Sequence, residues 1–130
     1  MLVNYSILVY KVVKRIPRGK VATYGQIAET IQNSKISAKF RQSGSFTFKV
    51  TPRLVGMALH ENPDPENIPC HRVVNKNGKL AENYAFGGAR AQRKKLLEEG
   101  VTFRKNLYVD LEKSNWRFAD LAKLTRKMQK

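Results

Sequence analysis

The chain has one cysteine, two histidines and ten acidic residues in 130. A single cysteine cannot close an internal disulfide, so the chain fits a reducing compartment. Cys70, His60 and His71 do not make a closed zinc site, and no metal is expected. No apolar run approaches the roughly 20 residues of a membrane-spanning helix, so no membrane partner is expected. The start, MLVNYSILVYKVVKRIP, has neither a basic region ahead of its apolar stretch nor a small-residue cleavage site, and it does not read as a secretion signal. Internal repeats and low-complexity tracts are absent too.

What is abundant is positive charge. Twenty-five Lys and Arg give a formal net charge of +15. Such a charge costs self-repulsion, and its commonest natural counterpart is a polyanion, nucleic acid before an anionic membrane. The bland alternative is a Lys-rich surface that is simply solvated. At this length one core is expected, burying roughly two-thirds of the surface of the unfolded chain.

Apolar spacing predicts a helix over Tyr5 to Ile16, with Ile7, Leu8, Val9, Val12, Val13 and Ile16 on its stripe, stopped by Pro17. After a turn and a short extended KVA, Thr23 and Gln26 form a capping box for a second helix whose narrow apolar face is Ile27, Ala28 and Ile31. Residues 33–50 are polar and basic and read as an inserted loop or small hairpin. Thr51 and Pro52 then open a third helix with Leu54, Val55, Ala58 and Leu59 on one side, ended by Asn62 and Pro63. Two short helices, the second led by an arginine, form a helix-turn-helix candidate with an unusually long connection. NPDPENIP delivers CHRVV as an extended, buried stretch, and NKNGKL reads as a hairpin turn. A fourth helix is predicted from Ala89 to Glu99, with Ala91, Leu96 and Leu97 inward, four basic residues outward and Gly100 as its cap. The segment from Val101 to Phe118 reads as extended or irregular, and Phe118, Leu121, Leu124 and Met128 mark a final basic amphipathic helix.

A lone cysteine is more often a small buried apolar side chain than a nucleophile. A cationic neighbour or a hydrogen-bonded base would raise its thiolate fraction, and His71 and Arg72 stand next to Cys70. Adjacent residues on a strand point to opposite faces, so His71 could reach the sulfur only through a bend or a bridging water. Spacing alone leaves both readings open.

PCHRVV, followed by NGKL, NYAFGG and QRKKLLEEGV and preceded by RIPRGKVATYGQIA and PRLVGMALHENP, closely resembles the DNA-binding and active-site domain of the alkylguanine-DNA alkyltransferases. The resemblance runs from about Tyr10 to Trp116, interrupted by residues 33–50. It implies a mainly α fold with short extended segments, a winged-helix-like helix-turn-helix domain over residues 1–118, followed by a basic C-terminal helix or tail over 119–130. It also implies a single-turnover repair reaction without a cofactor. Cys70 takes the nucleophile's place, His71 that of a base acting through a water, and Glu99 that of the acid orienting the histidine.

Because an alkylated base inside a duplex is out of reach, the resemblance further implies base flipping. Arg53 matches the arginine that fills the gap, and Tyr24 the tyrosine that rotates the target phosphate. Without the resemblance, Tyr24 reads as a core aromatic and Arg53 as a phosphate contact. Arg72 is a further expected DNA contact, and Gly56 and Ala58 are the small residues that permit close approach in the minor groove. Asn62 matches the asparagine tying the recognition helix to the active-site loop. Tyr84, Ala85 and Phe86 match the pocket wall, with backbone groups near Cys70 and Val73 reading the guanine edge.

The expected partner is therefore double-stranded DNA carrying alkylated guanine, bound by a monomer, with excision-repair machinery as a second candidate partner. The expected location is the cytoplasm and nucleoid of a prokaryote or the nucleus of a eukaryote. Full-length transferases usually carry an N-terminal domain that this sequence does not show, and Glu82 stands where glycine is common. These departures keep in view the alkyltransferase-like proteins, which bind alkylated guanine without repairing it and replace the cysteine, often with tryptophan. Cys70 favours transfer.

Overall fold

A computed structural model describes residues 5–33, 49–81 and 84–116. The described chain is mainly helical with short strands. Helix α1 is Tyr5–Val13, α2 is Tyr24–Gln32, α3 is Pro52–His60, α4 is Gly88–Glu98 and α5 is Leu111–Ser114. The strands are β1 (Ala22–Thr23), β2 (Val73–Val74), β3 (Phe103–Lys105) and β4 (Tyr108–Val109). Among the described residues, no helix is long and apolar enough to cross a membrane.

Both predicted caps are formed. Thr23 Oγ1 accepts from Gln26 N at 3.1 Å while Gln26 Oε1 accepts from Thr23 N at 2.8 Å, satisfying two of the donors that a helix start leaves open. At α3, Thr51 Oγ1 accepts from Leu54 N at 3.2 Å, with Pro52 in the first turn. Each such cap is worth about 1 kcal/mol, and together they fix where α2 and α3 begin. That places Tyr24 and Arg53 in the first turns of the two helices.

Helices α1, α2 and α3 pack on one another around Val9, Val13, Ile27, Ile31 and Val55, all essentially solvent-free. The parallel pair β1–β2 separates this cluster from a second one. Ala22 and Val73 face the three helices, whereas Val21 and Val74 face Leu80, Leu96, Val101 and Val109. Alternation along the strands thus lets two residues of each segment serve two cores. Burial of these apolar groups, at about 25 cal/mol per Å², is what fastens the Cys70 segment to both halves. The antiparallel pair β3–β4 flanks the second core, with an irregular register between Phe103 and Lys105.

Several expectations are corrected. Helix α1 ends at Val13, and tight turns carry the chain through Ile16. Ile7 is 51% exposed and Leu97 44% exposed, so neither belongs to its core stripe. The turn at Asn75–Gly78 exists, and Gly78 is required there by its φ of 86° and by Val109 O, which a Cβ would meet at 2.5 Å. It does not join a hairpin, however. Strand β2 pairs in parallel with β1, and Lys79 bridges to Tyr108 instead. Within the segment from Val101 that was read as extended or irregular, β3 and β4 are extended and form a hairpin, and Leu111–Ser114 is a short helix that was not expected. The final amphipathic helix, Glu82 and most of the insertion lie outside the described residues.

Candidate active site

Pro69 precedes a single 3₁₀ turn, Cys70–Arg72, rather than the expected extended strand. Cys70 N donates to Ile68 O at 2.7 Å and Arg72 N to Pro69 O at 2.9 Å. The tight turn removes the strand alternation that would have sent adjacent side chains to opposite faces. Asn62, buried just past α3, holds the approach: its Nδ2 donates to Ile68 O at 2.8 Å and its Oδ1 accepts from Asp64 N at 2.9 Å. From the other side, the fully buried Gln92 of α4 donates to His71 O at 3.0 Å and Val73 O at 3.1 Å, and accepts from Ala81 N at 3.0 Å. The cysteine is clamped between two amides on two helices' worth of scaffold.

Behind Cys70 lies an ionic cluster. His71 Nε2 is 3.0 Å from Glu99 Oε1, and Arg72 meets the same carboxylate through Nε at 3.0 Å and Nη2 at 2.7 Å. Arg72 Nη1 donates to Ile16 O at 2.8 Å. The bidentate guanidinium and the imidazole outweigh the burial of the carboxylate, so the Glu99 pKa lies below the usual carboxylate range. Burial drives the His71 pKa below that of an ordinary imidazole, against the raising effect of Glu99. His71 is thus neutral at neutral pH. With its Nε2–H donated to a carboxylate, its Nδ1 carries a free lone pair, and that atom is buried with no hydrogen-bond partner among the described residues.

Cys70 lines a cleft of about 910 Å³ together with Tyr24, Arg53, Gly56, Met57, Tyr84 and Ala85 among others. Cys70 itself is only 6% exposed. Burial pushes its thiol up, and the Asn62 amide, the Lys95 charge and the Tyr84 hydroxyl only partly offset this. Of the two readings that spacing left open, a buried apolar thiol or an activated nucleophile, burial favours a protonated resting thiol at this site. The site holds a thiol on the floor of a cleft with a neutral imidazole as its chain neighbour.

The cleft gathers Tyr24, Arg53, Gly56, Cys70, Tyr84 and Ala85 from distant parts of the sequence. His71, Glu99 and Asn62 stand outside its lining as described above, and Ala58, Arg72, Phe86 and Val73 lie outside it too. Ala58 is 1% exposed in the helical core, its carbonyl accepting from Tyr10 Oη at 2.7 Å, so it offers no surface for close approach. Arg72 spends its donors on Glu99 and Ile16, behind the cysteine, rather than facing the cleft as a DNA contact. Phe86 stacks edge-on against Tyr84, with ring centroids 5.7 Å apart, and supports the wall instead of lining it. The Val73 side chain is fully buried, leaving only its backbone to act. Gln92, Met57 and Lys95 were missed. Gln92 sits four residues before Leu96 on the inward face of α4, and a polar residue in that register was the available signal.

The chain matches the model of the "6-O-methylguanine DNA methyltransferase, DNA binding domain" family over residues 4–101. A methylated-DNA--protein-cysteine methyltransferase of Saccharolobus islandicus is 43% identical over 74 residues, 57% of this chain and 38% of that protein. The protein of the same name from Sulfolobus acidocaldarius is 39% identical over 75% of this chain and 50% of its own length. The chain thus spans half or less of the length of these relatives. Among solved structures, S. pombe Atl1 in complex with damaged DNA containing O6-carboxymethylguanine superposes with a TM-score of 0.68 at 27% identity, covering 90% of this chain and 99% of that one.

Proposed function

The chain belongs to the 6-O-methylguanine DNA methyltransferase family through that family's DNA-binding domain, and from this premise we propose that it takes an alkyl group from the exocyclic oxygen of alkylated guanine in duplex DNA onto Cys70, once per molecule. The observation that carries this reading is a cysteine on the floor of an open cleft, followed directly by a neutral histidine tethered to a carboxylate.

In this reading His71 Nδ1 takes the Cys70 proton through one bridging water, and the positive charge that develops on the imidazole is balanced by Glu99. The sulfur then attacks the alkyl carbon in line. A carbon–sulfur bond forms, the carbon–oxygen bond breaks, and the guanine oxygen keeps the electron pair. A backbone donor near Ala85 stabilises that oxygen until a proton restores the normal base. Arg53, exposed in the first turn of α3, enters the stack left by the flipped nucleotide, and Tyr24 meets the rotated phosphate. Asn62 and Gln92 hold the reacting turn still. The +15 charge holds the duplex, and each neutralised phosphate adds about −0.9 to the logarithmic salt slope.

A duplex carrying one O6-methylguanine, titrated with protein, tests this stoichiometry. Repaired base should rise in proportion to protein and stop when every molecule has reacted. The likeness to S. pombe Atl1 over nearly all of both chains favours one second reading, a lesion-binding protein that signals to excision repair. Saturable lesion binding with no repaired base would replace the first reading with the second.

A further inference from the structure

Lys95 was expected on the solvent face of α4. Its ammonium instead turns to the cleft wall, donating to Tyr84 Oη at 3.0 Å and standing 5.6 Å from the Tyr84 ring centroid and 5.8 Å from that of Phe86. The Tyr84 hydroxyl holds it, with the Phe86 ring close by. No carboxylate lies within ion-pair distance of it among the described residues.

An ammonium can only donate, so in this bond the phenol oxygen must accept. The single proton of Tyr84 is then directed away from Lys95. Tyr84 is buried and lines the same cleft as Cys70, and its hydroxyl acts to lower the pKa of the Cys70 thiol. Resting on the transfer reading above, we propose that Lys95 is a positioning residue of the site: it fixes the Tyr84 phenol as a donor aimed at the Cys70 sulfur and so supports the negative charge that forms there. Donation by a cation also polarises the phenol, making its O–H a stronger donor in turn.

The charges around the sulfur agree with such a role. Tyr10 from α1 and Tyr24 from α2 are coupled to Cys70 and disfavour a second negative charge. Arg53 and Glu61, around α3, line the cleft with charge of both signs, and His60 lines it beside them. His71 is neutral and Arg72 is committed to Glu99. Lys95 is the cation that lowers the Cys70 thiol against its burial, and burial keeps Tyr84 itself protonated despite the lysine.

The test is the pH dependence of Cys70 alkylation by iodoacetamide, a small neutral reagent that needs no DNA. Lys95→Met should raise the midpoint by about one unit, a roughly tenfold loss of rate at neutral pH. Lys95→Arg, which keeps a cationic donor, should restore most of that rate. Tyr84→Phe should raise the midpoint by itself, and adding Lys95→Met to it should give little further shift. Should Lys95→Met not fold, the Tyr84→Phe and Lys95→Arg midpoints still decide. An unchanged midpoint in Lys95→Met, or in Tyr84→Phe, overturns the proposal, as does a full Lys95→Met shift in the Tyr84→Phe background. Weakened duplex binding with an unmoved midpoint would make Lys95 a phosphate contact instead. Because iodoacetamide reads the thiol directly, the shift is measured whether or not the protein accepts a methyl group from guanine.

Discussion

Glu99 holds His71 by its Nε2, at 3.0 Å, from the far end of α4. A carboxylate at a helix C-terminus works against the helix dipole, and here Arg72, bonded to both of its oxygens, makes the position tenable. The consequence is a fixed tautomer, with the lone pair of His71 on Nδ1.

Glu99→Gln should therefore lower the plateau of transfer by about 10²-fold or more, since the imidazolium loses its counter-charge. The acid limb of the pH–rate profile should move to lower pH at the same time, because Glu99 raises the His71 pKa. Single-turnover rates from pH 5 to 8 check both. An unmoved limb would detach Glu99 from the histidine.

Stability should depend on pH with a definite sign. Glu99 and His71 both have folded pKa values below their unfolded ones. Each contributes stability that is fully present above its unfolded pKa and is lost as pH falls through its folded pKa. Cys70 is raised, so its contribution is present below its unfolded pKa and lost as pH rises through the folded one. Urea midpoints should be highest between about pH 7 and 8, falling on both sides; a maximum near pH 5 would contradict these shifts.

Arg53→Ala should slow transfer from duplex by about tenfold or more, as the flipped state loses the side chain that fills its gap. Reaction with the free O6-methylguanine nucleoside should be unchanged. Equal rates for variant and parent on duplex would take Arg53 out of the mechanism.

Gln92→Leu should destabilise the fold by roughly 3 kcal/mol, leaving Ala81 N and two carbonyls of the Cys70 segment without their amide. Denaturant unfolding measures this. A loss under about 0.5 kcal/mol, the range of ordinary surface changes, would show the clamp to be dispensable.

The helix starts were legible because Thr23 with Gln26 and Thr51 with Pro52 are local signals. The resemblance to known transferases singled out Cys70, His71 and Glu99 as candidates, and the structure joins His71 to Glu99, a pairing that spacing alone could not have found. Tertiary placement was not legible. Leu97 took the side opposite to the expected one because helix faces were set by where the β1–β2 pair and its neighbours sit, which periodicity does not record. Ala58 kept the apolar side its spacing indicates and so is not free for the surface role the resemblance implied. The 3₁₀ turn at Cys70 was hidden for a similar reason: CHRVV has strand composition, and the turn is imposed by Pro69 together with the Asn62 and Gln92 amides. Lys95 carried no signal at all, since a lysine in an amphipathic helix reads as solvated unless an aromatic wall stands beside it.

The most direct test is the mass of the Cys70 peptide after incubation with duplex DNA containing O6-methylguanine. That peptide should gain one methyl group, a gain absent in Cys70→Ala, which should still bind the lesion. An unmodified peptide from protein that has bound the lesion tightly would contradict it.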